Sequence, residues 1–454
     1  MANRNTNRLA GLPQDVDISD VSELGNEFTV ELKSVDAKCP YCGNQSLISK
    51  GKCPSRTLYH TPRGKNPALI HIRFPRFYCR ECGVSFTYRP DWVHPWLPIT
   101  RRLFLDIIED FHSTKSMRLI AADNGVSESI VRGIFDSITI EPRKDLPETL
   151  CIDEFKGDTG FYDSDKDRWR CRRYQCNILD GTTHDVMDIL PSRDYPALRK
   201  YFMQYPLEER KKVRFLCCDM HGGFAKLRHS VFPNAILCID RFHVVQLLNN
   251  AVSHVRIRYQ KEMKARLALD ENDEEAATHY DLLKNSAHLL TTKDETFEYW
   301  EPNVVEKKKQ SLSEIFSAFP DLLEISDSLQ NFHVLTAQEN SALCAADLSE
   351  WILQAESSNV EELRDAAATI KKWKEFILNG LREHKNNSAC EGVNRVIKDI
   401  KRNSAGFKNF DNFRKRILLA CGSAILDKTY SISRKNISKG TPSNKKGEQH
   451  NEPR

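Results

Sequence analysis

The sequence predicts a mixed α/β protein, in which a mixed β-sheet core carries an all-helical insertion and follows a small metal-binding module and a helix pair. Three observations support this prediction. Short apolar runs that end in carboxylates alternate with helical segments between residues 150 and 240, two Cys-x-x-Cys-Gly motifs precede them, and a long charged helical stretch follows. Alternating strand and helix signals of this kind are typical of packed α/β layers.

The composition limits the class of protein. At 454 residues the chain is long enough for roughly two to four domains. The net charge of +4 is small, so any nucleic-acid-binding surface must come from local clustering of the 67 Lys and Arg. No apolar run approaches the ~20 residues of a membrane span and no signal core follows Met1, so we expect a cytoplasmic protein. In that compartment the 14 Cys are expected to be free thiols or metal ligands.

Two cysteine motifs near the N-terminus predict a structural zinc site. Residues 1–35 are interpreted as a polar extension with one strand at 28–32, and residues 36–97 as the zinc-binding domain. Each motif directs two thiolates at one tetrahedral ion, and the following Gly lets the backbone close round it. The predicted Zn²⁺ ligands are Cys39, Cys42, Cys79 and Cys82. Any of Cys53, His60 and His71 could replace one ligand, but we expect these three to be ordinary residues of the connecting hairpin.

Residues 98–142 predict a helix-turn-helix. A helix at 102–112 and a second at 116–123 are followed by the tight turn at Asn124-Gly125-Val126 and a third helix that begins after Ser127. A plain helical hairpin would give the same pattern, but a neighbouring basic and aromatic stretch at 71–102 favours DNA binding. The residues expected to contact DNA here are Ser127, Ser129, Arg132, Arg73 and Arg76.

Three carboxylates, far apart in the chain, are placed where a metal site requires them. Asp153 lies in a buried strand at 150–155, where a charge is costly unless it has a partner or a function. Asp219 ends a second apolar run at 213–219, and Glu391 lies at the start of a helix. Hard oxygen ligands of this kind bind Mg²⁺ or Mn²⁺ and suit phosphoryl transfer. Strands of a chain with 63 Asp and Glu also end in Asp by chance, so the pattern alone does not establish the site.

The second ligand has an alternative. Asp240 also ends an apolar strand and is followed by His243, although an Asp in this position commonly caps the next helix. We rank Asp219 first and keep Asp240 and His243 as groups that support the site or contact DNA. Glu154 should point away from Asp153, because neighbouring side chains of a strand face opposite sides.

The remaining segments complete the domain plan. The core spans 148–430, with three strands in hairpin succession followed by alternating helices and strands, and with the helical insertion at about 255–385. Glu391, Arg395, Lys398 and Arg402 recur at helical spacing, so one helix face would run from the metal ligand to basic phosphate contacts. Residues 431–454 are polar and are expected to be disordered.

Several strings together resemble bacterial insertion-sequence transposases of the ISL-three group. They are Ile152-Asp153-Glu154-Phe155, Phe232-Pro233-Asn234-Ala235, Asp240-Arg241-Phe242-His243-Val244, Glu391-Gly392-Val393-Asn394 with Ile397-Lys398, and Gly406-Phe407-Lys408-Asn409-Phe410. With the paired Cys motifs, the match covers most of the chain in the right order. The resemblance implies an RNase H-like core with an Asp-Asp-Glu triad, which corresponds to Asp153, Asp219 and Glu391.

The resemblance also implies a function. We expect a transposase that binds the terminal inverted repeats of its insertion sequence as double-stranded DNA, then cuts and joins DNA with two Mg²⁺ or Mn²⁺ ions, with no covalent protein intermediate. A homodimer is expected in the synaptic complex because two ends must be held together, and bound DNA would place the protein at the nucleoid. Two alternatives stay open: an inactive or domesticated relative that acts as a repressor, and an RNase H-like nuclease without joining activity.

Overall fold

The computed structural model describes residues 12, 16–24, 26–63, 66–140, 143–163, 168–338 and 341–422. The predicted disordered tail at 431–454 lies outside these ranges, as does most of the first dozen residues. The described residues fall into two compact units. One takes residues from Met1–Glu141, Lys398–Phe407 and Lys415–Arg454, and the other from Pro142–Ile397 and Lys408–Arg414.

Short strands build the N-terminal part of the first unit. They are β1 Val16–Val21, β2 Glu27–Leu32, β3 Leu47–Lys52, β4 Arg56–Arg63, β5 Asn66–Ile72, β6 Pro75–Cys79 and β7 Ser85–Thr87. Strands β1, β2, β5 and β4 form one sheet in that order, and β3, β6 and β7 form another. The predicted strand at 28–32 is present as β2, whereas β1 was missed. Because β1 pairs with β2, the N-terminal extension is part of the larger sheet.

Three helices follow in the same unit: α1 Arg101–Asp110, α2 Met117–Asp123 and α3 Glu128–Ser137. Thr100 and Ser116 cap α1 and α2 through their hydroxyls, which accept hydrogen bonds from Leu103 N and Leu119 N. Gly125 between α2 and α3 has a φ of +64°, and a Cβ there would lie 2.9 Å from Pro67. Only glycine fits this turn, because it tolerates both the left-handed backbone and the close approach.

The second unit contains a five-stranded sheet. Its strands are β8 Thr149–Asp163, β9 Arg168–Asp180, β10 Val186–Leu190, β11 Phe215–Cys218 and β12 Ile236–Ile239, in the order β10-β9-β8-β11-β12. Strands β8, β9 and β10 are antiparallel neighbours, and β11 runs parallel to both β8 and β12. All five predicted strands are present. The β8–β9 hairpin is longer than predicted. The prediction stopped short because the outer half of the hairpin is rich in charged residues and lacks an apolar pattern.

Helices cover the sheet and continue beyond it. They are α4 Tyr195–Phe202, α5 Leu207–Lys212, α6 Gly222–Ser230, α7 Arg241–Leu269, α8 Glu274–Asn285, α9 Pro302–Ala318, α10 Pro320–Thr336, α11 Ser341–Glu356, α12 Glu361–Arg382, α13 Ser388–Asn403 and α14 Phe410–Cys421, with 3₁₀ turns at Leu289–Thr291 and Asp294–Tyr299. Helix α7 starts directly after β12, so the predicted start of the insertion at about 255 falls inside a continuous helix. One hydrophobic core joins sheet residues such as Leu216 to helix residues such as Val252 and Trp373.

Helix α12 returns the chain to the sheet. Asn379 Nδ2 donates a 3.1 Å hydrogen bond to Leu237 O of β12. A Cβ at Gly380 would lie 2.4 Å from Ile239 O, so the glycine lets the helix backbone reach the strand. Five residues separate the end of α12 from the start of α13, and α13 therefore begins beside the carboxyl end of β12. No helix in the described ranges is both long enough and apolar enough to span a membrane.

Candidate active site

Asp153 lies on β8, the central strand of the five-stranded sheet, and is buried. Its backbone N–H donates to Asn177 Oδ1 of β9 at 3.1 Å. Its carboxylate accepts two hydrogen bonds, from Glu154 N at 2.7 Å and from Asn394 Nδ2 at 2.7 Å. Both donors to this carboxylate lie in secondary structure, Glu154 on β8 and Asn394 on α13, and they set its orientation.

Strand register brings Asp219 to Asp153. Strands β8 and β11 pair in parallel, with Ile152 opposite Cys218, so the next residue of each strand carries a carboxylate at the same edge. His243, in the first turn of α7, forms an ion pair through Nε2 with Asp219 Oδ1. In the described part of the chain, one ligand atom from each of Asp153, Asp219 and His243 lies within 4.8 Å of the others.

Glu391 completes the set of acidic groups. It lies in the first turn of α13 and is half-buried, and its Oε1 is buried with no hydrogen-bond partner among the described residues. Burial raises the pKa of Glu391, and the negative charges of Asp240 and Asp219 raise it further against the opposing effect of His243. The charge of Asp219 thus acts on Glu391, but the group whose ligand atoms lie within 4.8 Å of one another contains Asp153, Asp219 and His243 and does not include Glu391.

The pKa values of these groups reflect a local excess of negative charge. Burial, together with the charge of Asp219, raises the pKa of Asp153 to about 7. Burial alone would lower the pKa of His243, but its hydrogen bond to Asp219 and the nearby carboxylates raise it overall. Both raised pKa values favour the protonated form of the group, which reduces the excess of negative charge. A bound cation would neutralise the same charge.

The alternative ligand, Asp240, is engaged elsewhere. It is buried at the N-cap of α7, where Oδ1 accepts a 2.9 Å hydrogen bond from Phe242 N. Its Oδ2 accepts a 2.6 Å hydrogen bond from Asn387 N, just before α13. Asp240 therefore caps one helix and anchors the start of another. Glu154, the neighbour of Asp153, forms an ion pair with Arg193.

The donor set fits a divalent metal ion. Asp153 and Asp219 present carboxylate oxygens, the ligands that Mg²⁺ and Mn²⁺ prefer, and His243 presents a nitrogen that Mn²⁺ also accepts. The unpartnered Oε1 of Glu391 is a buried acceptor without a donor, which a protein normally avoids. A cation in this group would satisfy that oxygen and offset the raised pKa of Asp153.

The cysteine motifs meet as the spacing predicted. Cys39 Sγ lies 3.5 Å from Cys82 Sγ, and Cys42 Sγ lies 3.6 Å from Cys79 Sγ. Four thiolates round a tetrahedral Zn²⁺ are separated by about 3.8 Å, given Zn–S bonds of about 2.3 Å. The glycines after each motif, Gly43 and Gly83, have positive φ values of 75° and 71°. This cluster therefore has the geometry of a structural zinc site.

The three other candidate zinc ligands have different partners. Cys53 Sγ accepts a hydrogen bond from Phe74 N at 3.3 Å. His60 Nδ1 lies 2.9 Å from Thr100 Oγ1, and His71 Nδ1 lies 3.1 Å from Thr57 Oγ1. None of the three belongs to the cysteine group, as expected for residues of the connecting strands.

The residues expected to contact DNA are exposed. On α3 and its N-cap, Ser127 bonds Ser129 through their hydroxyls, rather than capping the helix, and Arg132 pairs with Glu128. The other exposed basic residues in the predicted set are Arg73, Arg76, Arg395, Lys398 and Arg402. Of these, Arg73 donates to Cys53 O and Arg402 to Asp399.

Comparison with known proteins identifies the class. A family model for DDE transposases, described as "Transposase", matches residues 150–417, which include all three predicted carboxylates. The chain is thus a transposase, an enzyme class whose members act on DNA as polynucleotidyl transferases with divalent metals. It belongs to the ISL3 (ISL-three) family of insertion-sequence transposases, as its resemblance to that group predicted.

Individual relatives agree with this assignment. The transposase for insertion sequence element IS1001 of Bordetella parapertussis is 22% identical over 357 residues, which cover 78% of this chain and 81% of the relative. A much shorter stretch of 58 residues, 13% of this chain, is 38% identical to a protein named ATP-dependent protease from Lactococcus lactis subsp. lactis. That stretch covers only 19% of the protease, so it does not bear on the activity of this chain.

Two residues of the site carried no role in the sequence interpretation. Asn177 lies in a buried strand and Asn394 in an amphipathic helix, and both bond Asp153 or its backbone. Asn394 belongs to the string Glu391-Gly392-Val393-Asn394 that carries the family resemblance. The sequence signal available for Asn177 was an amide side chain in the predicted strand that follows the strand of Asp153.

Proposed function

We propose that the protein binds the terminal inverted repeats of its own insertion sequence and catalyses metal-dependent cleavage and strand transfer of DNA. The observation that carries this proposal is the group of Asp153, Asp219 and His243 at one edge of the sheet, together with Glu391, whose pKa responds to the charge of Asp219 and whose buried oxygen has no partner in the described residues. The strand order of the sheet, with three antiparallel strands followed by two parallel ones, supports the RNase H-like core.

The chain's own residues have distinct roles in this proposal. Asp153, Asp219 and Glu391 would hold two divalent ions, which when bound activate the attacking hydroxyl and stabilise the leaving 3′-oxygen. Asp153 is held rigidly by its hydrogen bonds, so little reorganisation is needed when the scissile phosphate arrives. Protonated His243 would balance the charge of Asp219, and neutral His243 could instead serve as an additional ligand or as a proton acceptor. Asp240 orders the backbone on which His243 and Glu391 lie.

Two further modules would hold the DNA. We assign α1–α3 as a helix-turn-helix, with Ser127, Ser129 and Arg132 facing the major groove. The exposed face of α13 that carries Arg395, Lys398 and Arg402 would contact DNA phosphates. The domain plan follows: zinc-binding at 36–97, helix-turn-helix at 98–142, and a core at 148–430 that the helices of 241–382 interrupt before Glu391.

The first experiment incubates the purified protein with a duplex that carries the element's end, in Mg²⁺, and compares wild type with Glu391→Gln. Cleavage and joining should both be lost in the variant, with DNA binding intact. Cleavage by wild type without joining would indicate a nuclease, and binding without any chemistry would indicate a repressor. Unchanged activity of the variant would contradict the assignment of Glu391.

The zinc assignment has an independent test. Metal analysis of the purified protein should find one zinc per chain, and Cys82→Ala should abolish it, because a tetrahedral site needs all four thiolates. Cys53→Ala is the matched control, since Cys53 is a nearby buried thiol outside the group, and it should retain zinc. Retention of zinc by Cys82→Ala would contradict the assignment.

We also propose that the active form is a dimer in the synaptic complex, because two ends must be cut and joined together. Sedimentation of the protein with paired element ends should give two chains per complex. A single chain bound to two ends would contradict this proposal.

A further inference from the structure

A closed ring of hydrogen bonds surrounds Asp153. Its backbone N–H donates to Asn177 Oδ1 at 3.1 Å, Asn177 Nδ2 donates to Asn394 Oδ1 at 2.9 Å, and Asn394 Nδ2 donates to Asp153 Oδ2 at 2.7 Å. The ring therefore runs from the main chain of Asp153 through two amides to its own carboxylate. It links β8, β9 and α13.

The direction of the ring is determined by its first member. A backbone N–H can only donate, so Asn177 must present its oxygen to Asp153 and its NH₂ to Asn394. Asn394 must then present its oxygen to Asn177, which leaves its NH₂ for the Asp153 carboxylate. Asn177 is fully buried, so its own amide is shielded from solvent. Asn394 is thus held as a donor to Asp153, and neither amide can flip without breaking the ring.

The ring also connects the first carboxylate to the third. Asn394 lies three residues after Glu391 on α13, and residues at this spacing share one face of a helix. The hydrogen bond from Asn394 to Asp153 therefore sets where the first turn of α13 stands relative to β8. Asn387, which is outside the ring, also holds the start of α13 against β8, because its Nδ2 donates a 3.3 Å hydrogen bond to Ile152 O.

We propose that Asn394 is a positioning residue for the metal site: it orients the Asp153 carboxylate and fixes Glu391 relative to it, so that both are ready to bind a divalent cation. This inference rests on the proposed function, and it assigns a role to a residue outside the acidic set. Groups that hold metal ligands in place typically contribute about 10–100-fold to metal affinity or activity. A residue that merely docked α13 on the sheet would affect stability and leave cation affinity unchanged.

The test measures Mn²⁺ binding directly, by titration of the full-length protein without DNA, together with thermal unfolding. Asn394→Leu keeps a side chain of similar size but removes the hydrogen bonds of Asn394 with Asp153, Asn177 and Glu154 O, and it should weaken Mn²⁺ binding by about 10-fold or more. Asn379→Leu is the matched control, because Asn379 also ties a helix to a strand but does not contact Asp153. The control should lose stability and keep its Mn²⁺ affinity.

The outcomes separate this proposal from the proposed function. Wild type that binds no Mn²⁺ beyond what Asp153→Asn binds would overturn both. Wild type that binds Mn²⁺, with Asn394→Leu binding equally well, would overturn only the role of Asn394. Equal loss of affinity in Asn394→Leu and Asn379→Leu would also overturn it, since the effect would then follow stability.

A double-mutant cycle adds a readout that a structural role would not give. Asn177→Leu removes the other amide of the ring, so Asn177→Leu and Asn394→Leu should each weaken Mn²⁺ binding, and the double variant should be little weaker than either. Additive losses of affinity would mean that the two amides act separately and would contradict the ring.

Discussion

At the scale of single residues, the raised pKa of Asp153 couples metal binding to pH. Burial and the charge of Asp219 raise this pKa from 3.8 to about 7. Such a group stabilises the metal-free fold most at low pH, and this contribution is lost as the pH rises from about 4 through 7. Below pH 7 a cation competes with the proton on Asp153. Above pH 7 it relieves the repulsion between the ionised carboxylates of Asp153 and Asp219.

Thermal unfolding with and without MgCl₂ checks this coupling. We expect the increase in melting temperature caused by Mg²⁺ to be larger at pH 8 than at pH 6, because Asp153 is then ionised before the metal arrives. Asp153→Asn should remove the difference between the two pH values. Equal stabilisation of wild type at both pH values would show that Asp153 does not control metal binding.

The same Asp→Asn substitution should have different effects on stability and DNA cleavage at Asp219 and at Asp240. Asp240→Asn replaces an oxygen that accepts from a backbone N–H with an NH₂ group that cannot, so we expect a loss of about 1–3 kcal/mol in unfolding free energy. Asp219→Asn should abolish DNA cleavage with a much smaller loss of stability. Urea denaturation and a cleavage assay on both variants measure this, and the reverse pattern would make Asp240 the ligand.

At the scale of secondary-structure elements, the contact between α12 and β12 can be tested with one methyl group. Gly380→Ala would place a Cβ 2.4 Å from Ile239 O and force the helix away from the strand. We expect a loss of about 1–3 kcal/mol in unfolding free energy. Gly392→Ala on α13 is the control, because nothing lies within 4 Å of its Cβ position.

The control should behave in the opposite way. Alanine is a better helix former than glycine, so Gly392→Ala should raise the unfolding free energy by about 0.5–1 kcal/mol. Denaturant titration of both variants gives the two values. A neutral Gly380→Ala would show that α12 does not pack as closely on β12 as its backbone indicates.

At the scale of the whole molecule, a buried arginine of α14 joins parts of the first unit that lie far apart in the sequence. Arg416 donates to Phe111 O at 2.8 Å, Ser113 O at 2.5 Å and Lys115 O at 2.9 Å, where α1 has ended. Burial lowers the pKa of Arg416 to about 10, so it remains charged at neutral pH. Leu419 of the same helix joins the hydrophobic core of α1–α3.

Removing this arginine should affect the two units differently. Arg416→Met leaves three carbonyls without their donor, and we expect a loss of about 3 kcal/mol in the stability of the first unit. DNA binding should fall with it, while Mn²⁺ binding at the acidic group of the second unit should persist. Arg402→Met, at an exposed position, should leave the stability of the first unit unchanged. Equal stability of the two variants would contradict this role for Arg416.

Much of this arrangement could be predicted from local patterns. Asp153 and Asp219 end or interrupt short apolar runs, so their strands could be predicted. The Cys-x-x-Cys spacing places two thiols of each motif close together, so the cysteine cluster could be predicted too. Strand β1 was missed because its Asp-rich sequence lacks a strong strand signal. Arg416 stands in the basic run Arg414-Lys415-Arg416, a pattern typical of a solvated surface. Its burial depends on carbonyl groups some 300 positions earlier, which no local pattern reveals.

The division of the chain between the two units has a consequence for its synthesis. Both units take residues from the stretch 388–421: Glu391 and Asn394 enter the acidic site, and Arg416 and Leu419 finish the three-helix core. A ribosome that has made everything up to α12 has therefore completed neither unit. A premature stop before Ser388 should yield an inert product rather than a fragment that occupies DNA ends and competes with the intact enzyme.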